Sequence, residues 1–257
     1  MAEKAKKFKR LFWDVETAPN IVFSWRVGNK INLSYENIIT ERAIICICFK
    51  YEGESKVHYL TWDKGNDKKM LEQFVKILNE ADESVGHNSD QFDTRWVRAR
   101  CILHGIPMVP DLHTLDTLKL SRKGFNFNSH RLNYLGQYLG LGEKIHTGFN
   151  LWKDIVLKND KKAMDKMVRY CQQDVKLLEK VYQKLNPYTL AKSHKGVAEG
   201  GEPHHCPSCG HNSCISNGVR VMANGLKKHR LHCNRCGKYH SISHAVYEAV
   251  KEGLKHK

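Results

Sequence analysis

A short stretch near the start of the chain, Leu11 to Thr17, constrains the fold most. Leucine, tryptophan and valine at its odd positions alternate with Phe12, Asp14 and Glu16, which is the period-two pattern of a β-strand. Side chains two apart project from one face of a strand, so Asp14 and Glu16 point the same way. Two adjacent carboxylates repel each other, and hard oxygen ligands suit Mg²⁺ or Mn²⁺. We therefore expect either a metal site here or a strand end whose carboxylates simply meet water.

A long helix, predicted from about Lys161 to Leu185, carries the second strong signal. Two apolar stripes run along it at alternating spacings of three and four residues. Asp174 falls within one stripe, so its carboxylate lies on the buried side of the helix, where a charged group normally needs a partner. Tyr170 lies one helical turn earlier on the same face. Asp93 is a further carboxylate, close to the buried edge of another predicted helix.

The other apolar patterns in the first 186 residues predict a mixture of strands and helices. A continuous apolar run at 43–49 predicts a buried central strand in which Cys46 and Cys48 pack in the core. The remaining patterns predict strands at 56–62 and 83–88, and helices at 70–78, 92–103, 112–120 and 132–141. Ser89 or Asn88 is a candidate cap for the second of these helices. We therefore expect an α/β fold.

Two C-x-x-C pairs mark a separate C-terminal unit. They are separated by 23 residues, the arrangement of a tetrahedral structural zinc site, and consist of Cys206, Cys209, Cys233 and Cys236. Second-choice ligands are Cys214, His204, His205 and His211. Asn-Gly pairs at 217–218 and 224–225 predict hairpin turns between the knuckles. The preceding segment, 187–203, lacks apolar periodicity and is interpreted as a linker.

Charge and cysteine usage limit the class of protein. The formal net charge of +15 favours a polyanionic partner such as nucleic acid, although an excess of lysine also aids solubility. Nine cysteines, together with a basic start that lacks the apolar core of a signal peptide, indicate a reducing compartment and metal ligation. No apolar run approaches membrane-spanning length. We expect no membrane association and a cytoplasmic location, in a bacterial or phage-infected host cell.

Candidate contacts to nucleic acid combine basic and aromatic side chains. Trp25, which precedes Arg26, is a candidate for stacking on a base, and the alternative is a local hydrophobic plug. Arg122, Lys123 and Phe125 form an interleaved basic and aromatic loop. In the C-terminal unit the candidate basic residues are Lys227, Lys228, Arg230 and Arg235.

The ordered motifs resemble those of DEDD-type 3′–5′ exonucleases of the ribonuclease H-like superfamily. The matches are D-V-E-T at 14–17, G-H-N with F-D at 86–93, and Y-C-Q-Q-D at 170–174. A tyrosine four residues before the last aspartate resembles the DEDDy branch, whereas the other branch has histidine where this chain has Arg169. Residues 132–141 look like a stretch in exonucleases related to the proofreading domain of family-B DNA polymerases. The C-terminal unit resembles the zinc ribbons at the start of some transposases.

The resemblance implies a ribonuclease H-like mixed central sheet flanked by helices, and hydrolysis at the 3′ end of DNA, preferably single-stranded. It implies two catalytic Mg²⁺ or Mn²⁺ ions. Asp14 would bridge them, Glu16 and Asp174 would complete one site, and Asp93 would hold the other, partly through water. Tyr170 would orient the attacking water.

Further implications concern substrate and domain organisation. Thr17 and Phe92 would grip the terminal nucleotide. We expect a nuclease domain over 1–186, a linker over 187–203, and a ribbon with one structural Zn²⁺ and a terminal helix over 204–257. Two alternatives stay open: a 3′–5′ exoribonuclease, because nothing here reads the 2′-hydroxyl, and a catalytically idle nucleic-acid-binding protein. The partner of the ribbon is nucleic acid or, alternatively, a protein.

Overall fold

A five-stranded mixed sheet forms the centre of the molecule. The computed structural model describes residues 6–28, 30–143 and 147–255. The strands of all sheets, in chain order, are β1 (Arg10–Thr17), β2 (Ile21–Val22), β3 (Ile38–Thr40), β4 (Ile44–Tyr51), β5 (His58–Thr61), β6 (Glu83–Gly86), β7 (Thr114–Asp116), β8 (Cys214–Val221), β9 (Lys227–Cys233) and β10 (Tyr239–Ser243). The central sheet has the order β5-β4-β1-β6-β7. β1 pairs antiparallel with β4 and parallel with β6, so it lies in the middle of the sheet.

Helices cover both faces of this sheet. The α-helices are α1 (Lys68–Asn79), α2 (Asp93–His104), α3 (Thr117–Gly124), α4 (Leu132–Tyr138), α5 (Asn150–Lys158), α6 (Lys161–Leu185), α7 (Lys195–Ala198) and α8 (His244–Lys255). The 25-residue helix α6 packs against β1 and β4, while α4 and α5 pack against α6. Among the described residues, no helix combines the length and apolar character needed to cross a membrane.

The alternation predicted for β1 separates two apolar cores. Leu11 and Trp13 pack on one face of the sheet, with buried side chains of α1 and α2. Phe12 belongs to the opposite core, which includes the buried stripe of α6. Since Asp14 and Glu16 share the face of Phe12, the strand directs both carboxylates toward the α6 side.

The predicted strands and the stripes of α6 are confirmed, with one exception on the helix. Residues 44–50 of β4 are all buried, and Cys46 and Cys48 are in the core. Glu179 lies outside both predicted stripes, yet it is only 8% exposed. Its carboxylate accepts a hydrogen bond from the buried ammonium of Lys50 on β4. This ion pair joins residues far apart in the chain, so helical periodicity could not predict it.

The helix predicted over 112–120 is wrong in its first half. Thr114–Asp116 forms β7, which pairs in parallel with β6, and α3 begins only at Thr117. The reason is the side chain of Asp116, which caps α3 by accepting hydrogen bonds from the backbone amides of Leu118 and Lys119. The cap predicted at Ser89 or Asn88 is also wrong, because α2 begins at Asp93 without a side-chain cap.

The C-terminal unit is a three-stranded antiparallel sheet in the order β10-β9-β8, with α8 packed against β9 and β10. The predicted turn at Asn224-Gly225 is present, and Gly225 has a φ of +79°. Asn217-Gly218, in contrast, does not form a hairpin turn. Gly218 has a φ of +85° and lies in a bulge within β8, where the pairing with β9 shifts its register.

The segment 187–203 is packed rather than extended. It contains α7 and contacts both of the units that it joins. The Lys195 ammonium donates to Glu52 at 2.7 Å, and the Lys195 backbone amide donates to the Pro207 carbonyl at 2.8 Å. Lys192 donates to the Thr114 carbonyl of β7 at 2.8 Å. The segment therefore fixes the C-terminal sheet against the central sheet.

Candidate functional site

Three of the predicted carboxylates meet on the α6-facing side of β1. Candidate ligand oxygens of Asp14, Glu16 and Asp174 all lie within 4.8 Å of one another. Asp174 is 2% exposed on α6, while Asp14 and Glu16 are half-buried near the end of β1. Such a concentration of negative charge next to a core is costly unless a cation shares the site. Three carboxylates form a donor set that fits Mg²⁺ or Mn²⁺.

Asp93 approaches β1 from a different element and is not part of that group of three. It is the first residue of α2 and is 2% exposed. Its Oδ1 atom accepts a hydrogen bond from the backbone amide of Val15 at 3.0 Å. This is possible because β6 pairs with β1 only over 10–12, which leaves the amide of Val15 beyond the end of that ladder. Asp93 is thus held beside the segment that carries Asp14 and Glu16.

A buried thiol contacts one of the carboxylates. Cys171 of α6 lies 3.7 Å from the Oδ2 atom of Asp14 and 3.5 Å from its backbone carbonyl. Burial raises the pKa of Cys171 well above the usual thiol range, so this group stays protonated and donates. Tyr170 precedes it on α6, half-buried and one turn before Asp174. The Cys171 thiol thus joins α6 to the part of β1 that carries Asp14, where the two elements already pack through the apolar core.

Asp116 is the residue that the sequence reasoning missed. It is 2% exposed at the end of β7, and its carboxylate accepts hydrogen bonds from the backbone amides of Asn88 at 2.9 Å and Asp90 at 3.3 Å. These bonds hold the turn between β6 and α2, in which Asn88 has a φ of +67°. Asp116 therefore positions the turn that leads to Asp93. Recognising Thr114–Asp116 as a parallel strand would have revealed it, since such strands end at the same edge of a sheet.

Two candidate contacts adjoin the carboxylates in the chain: Thr17 follows Glu16, and Phe92 precedes Asp93. Thr17 ends β1, and its carbonyl accepts a hydrogen bond from the indole of Trp152 at 3.1 Å. Phe92 immediately precedes α2, with 37% of its surface exposed and its ring tilted edge-on against Trp96. Trp25 is fully exposed, so the interpretation as a hydrophobic plug is wrong.

The three candidate side chains of the loop at 122–125 lie in different parts of the structure. Arg122 lines a cavity of about 490 Å³ together with Asn88, His130 and Arg131. Lys123 lines another cavity with Tyr188 and Lys192. Phe125 stacks on Phe127 at 5.3 Å and meets Tyr188 edge-on, so much of its ring is committed to packing. Only Arg122 of this loop therefore lies beside the turn that follows β6.

The four predicted cysteines form one cluster. The sulfur atoms of Cys206 and Cys236 lie 3.5 Å apart, and those of Cys209 and Cys233 lie 3.6 Å apart. A tetrahedral zinc site with bonds of about 2.3 Å places its sulfurs about 3.8 Å apart, so the spacing fits Zn²⁺. Hydrogen bonds from Cys209 and Cys236 lower the pKa of Cys206, as suits a thiolate ligand. The second-choice ligands, Cys214 and the three histidines, lie outside this group.

The predicted basic residues of the C-terminal unit differ in exposure. Lys227, Lys228 and Arg235 are exposed, whereas Arg230 is half-buried and donates to Asn217 at 3.0 Å. Lys238, a further lysine in this basic stretch of the chain, is completely buried. The free positive charge is therefore concentrated at the tip of the β8–β9 hairpin and at the second knuckle.

Lys238 belongs to an interface between the cysteine knuckles and the central domain. Its ammonium donates to both the backbone carbonyl and the side-chain oxygen of Asn186, each at 2.7 Å, and Asn186 is the C-cap of α6. Burial lowers the pKa of Lys238 to about 8. Arg10, 2% exposed on β1, pairs with Glu83 and donates to the carbonyl of Ser208 at 3.3 Å. The C-terminal unit thus docks on the ends of β1 and α6.

Comparison with known families agrees with this arrangement. The family model described as RNase_H superfamily matches residues 39–186, more than half of the chain, so the chain belongs to the ribonuclease H superfamily. The matched range includes Asp93 and Asp174, while β1 precedes it. No curated protein matches the sequence. The fold is accordingly ribonuclease H-like, and the superfamily indicates a nuclease-type hydrolase that binds nucleic acid and typically uses divalent metals.

Proposed function

We propose that this protein is a metal-dependent 3′–5′ exonuclease of the DEDDy type, acting at the 3′ end of single-stranded DNA. The observation that carries the proposal is the meeting of Asp14, Glu16 and Asp174 within 4.8 Å on the α6-facing side of β1. Nuclease chemistry is also what membership of the ribonuclease H superfamily indicates. The exonuclease direction and the DNA substrate rest on the resemblance of the motifs.

Asp14, Glu16, Asp93 and Asp174 would together hold two Mg²⁺ or Mn²⁺ ions. When bound, two such ions supply charge relief on the attacking and leaving oxygens of a phosphodiester. The protein contributes rigid ligands, because β1 and α6 are fixed by the core on both sides and by the Cys171 contact to Asp14. Asp93, held by the Val15 amide, would complete the second site in part through water.

Tyr170 would position the attacking water rather than bind metal. It lies one helical turn before Asp174, on the face of α6 that carries this carboxylate. Tyr170→Phe should therefore slow a single-turnover reaction by about tenfold to a hundredfold, the cost of misplacing a reacting group. Its affinity for Mn²⁺ should stay unchanged. A normal single-turnover rate would remove Tyr170 from the mechanism.

Binding of the strand would involve both units. Thr17, Phe92 and Arg122 lie on segments adjoining the carboxylates or the turn after β6, and the exposed ring of Trp25 offers a face for base stacking. We propose that residues 204–257 form a ribbon with one structural Zn²⁺. The lysines and arginines of this ribbon would contact phosphates.

The test compares Asp174→Asn with Asp165→Asn, which alters an exposed carboxylate on the same helix. Both proteins are given single-stranded DNA and matched RNA, each labelled at the 5′ end, with Mg²⁺ or Mn²⁺. The proposal predicts ladders that shorten from the 3′ end with wild type and Asp165→Asn, and at least about a hundredfold loss with Asp174→Asn.

The other outcomes identify the alternatives. Faster shortening of RNA than of DNA would make the protein an exoribonuclease. Cutting within circular strands would assign an endonuclease. Undiminished activity of Asp174→Asn, in preparations free of host nucleases, would contradict the assignment of the site. Binding without hydrolysis by wild type would leave a nucleic-acid-binding protein that retains the fold.

A further inference from the structure

A second cluster of potential metal ligands lies in the C-terminal unit, on β9 and α8. It consists of His229, His244 and Glu248, whose candidate ligand atoms all lie within 4.8 Å of one another. His229 lies four residues before Cys233 on β9, which is about 13 Å along an extended strand. The cluster is therefore separate from the four cysteines. The two C-x-x-C pairs gave no indication of it.

The two histidine rings meet in one short contact between nitrogen atoms. The Nε2 atom of His229 and the Nδ1 atom of His244 lie 2.7 Å apart. Two neutral imidazoles satisfy this contact with a single proton, whereas a divalent cation would take a lone pair from each ring. Glu248 lies one helical turn after His244, with its carboxylate 3.9 Å from the same ring, so both side chains share a face of α8.

The surroundings hold one ligand rigidly and leave the others accessible. His229 is 6% exposed and lies opposite Val219 and Ile242 in the sheet. The ring of Tyr247 stacks on it at 3.8 Å and fixes its orientation. The side chains of His244 and Glu248 are 47% and 42% exposed, so an ion could enter from solvent. One candidate ligand is therefore fixed by its surroundings, and the other two are open to solvent.

We propose that His229, His244 and Glu248 form a second metal site for a divalent transition ion of the Zn²⁺ class. Two imidazoles and one carboxylate are a donor set that Zn²⁺ binds, and three protein ligands leave one coordination position open. An ion here would tie the start of α8 to the middle strand of the sheet. The site is independent of the proposed exonuclease activity.

The test counts zinc in the full-length protein after equilibrium dialysis against Zn²⁺, with Mg²⁺ in excess. His244→Ala and Glu248→Gln are compared with Glu252→Gln, which changes an exposed carboxylate one turn further along α8. Every protein keeps its catalytic carboxylates and cysteines, so ions bound there cancel in the difference. We expect wild type and Glu252→Gln to bind one more Zn²⁺ than His244→Ala.

Affinity gives a second readout that does not depend on complete loss of the ion. Titration against a chelator should release the second Zn²⁺ before the cysteine-bound one. Glu248→Gln should weaken that second step by at least about tenfold. Circular dichroism and the tightly held zinc report that each variant is folded. Equal zinc content and equal release curves for all four proteins would overturn the proposal and leave a hydrogen bond between two imidazoles.

Discussion

The two principal candidate metal centres of this protein are built in opposite ways. Asp14 and Asp174 lie on β1 and α6, whose apolar side chains belong to two large buried cores. The four cysteines lie in two knuckles, one of which begins at the end of β9, beside a small sheet in which every residue of β8 after Cys214 is exposed. In the first region the fold positions the ligands. In the second region, we expect a metal bound by the cysteines to stabilise the fold.

The difference follows from how much apolar surface each region buries. The sheet and helices up to Leu185 enclose two apolar cores, one on each face, so this region does not need a metal to fold. In the C-terminal sheet, buried apolar side chains such as Leu231 and Ile242 are few. A unit so small commonly requires a metal or disulfide staple. Loss of metal should therefore stop chemistry in one region and remove structure in the other.

The largest expected effect is that of Cys233→Ser, which removes one thiolate. We expect loss of Zn²⁺ and unfolding of β8–β10, because structural zinc contributes about 10 kcal/mol or more of folding free energy in small metal-dependent units. Limited proteolysis should cleave the variant within the C-terminal unit while the central domain stays intact. Cys214→Ser, adjacent to the cluster but outside it, is the control. If Cys233→Ser resisted proteolysis as well as wild type does, the C-terminal unit would not depend on its cysteines for folding, and the contrast between the two regions would be wrong.

The second largest effect is expected at the carboxylate site of β1 and α6. Asp14→Ala removes a carboxylate that the fold, rather than the metal, holds in place. Metal-dependent nuclease activity should fall at least about a hundredfold, since several kcal/mol of charge stabilisation is lost. The melting temperature should not decrease, because the variant also relieves repulsion from Glu16 and Asp174. Unfolding of Asp14→Ala in the absence of nucleic acid would show that the site does hold the fold together.

A smaller effect is expected where the two regions meet. Lys238→Met removes the ammonium that donates to Asn186, leaving two acceptors without their donor in a buried contact. Urea unfolding should show a loss of about 1–3 kcal/mol. Lys227→Met, at an exposed position of β9, should be neutral. A neutral Lys238→Met would mean that the C-terminal unit is not anchored through this contact.

The smallest effect concerns the exposed charge of the ribbon. Replacing Lys227 and Lys228 by glutamine removes two cations from the hairpin tip. If both contact phosphates, the slope of log affinity against log salt for single-stranded DNA should decrease by about 1.4. Hydrolysis of a short substrate, held only near the carboxylates, should be unchanged. An unaltered salt slope would indicate that the ribbon binds a protein instead.

Local patterns predicted the elements that carry the ligands, since alternation in β1, the stripe on α6 and the paired C-x-x-C knuckles are all short-range signals. They failed where a long-range contact decides the outcome. Asp116 was assigned to a helix because its pairing with β6 is not visible in its own neighbourhood. The burial of Lys238 was missed because its partner, Asn186, lies far away in the chain, at the end of α6. The burial of Glu179, which lies outside the apolar stripes of α6, was missed for the same reason, since its partner Lys50 lies on β4.

The ligand cluster of His229, His244 and Glu248 illustrates the same limit. Its members come from a strand and a helix separated by β10, and only folding brings them together. The docked segment 187–203 is a further case. Its small residues predict a linker, but contacts such as Lys195 to Glu52 make it part of the packed structure.

Amide hydrogen exchange in the full-length protein, with and without a zinc-selective chelator and with Mg²⁺ always present, tests the central contrast most directly. We predict that the chelator abolishes protection across β8–β10 and weakens it at the C-terminal end of α6, next to Asn186. Protection of β1 and of α6 around Asp174 should stay unchanged. Loss of protection throughout β1 and α6, or a C-terminal sheet that remains protected without zinc, would contradict the account.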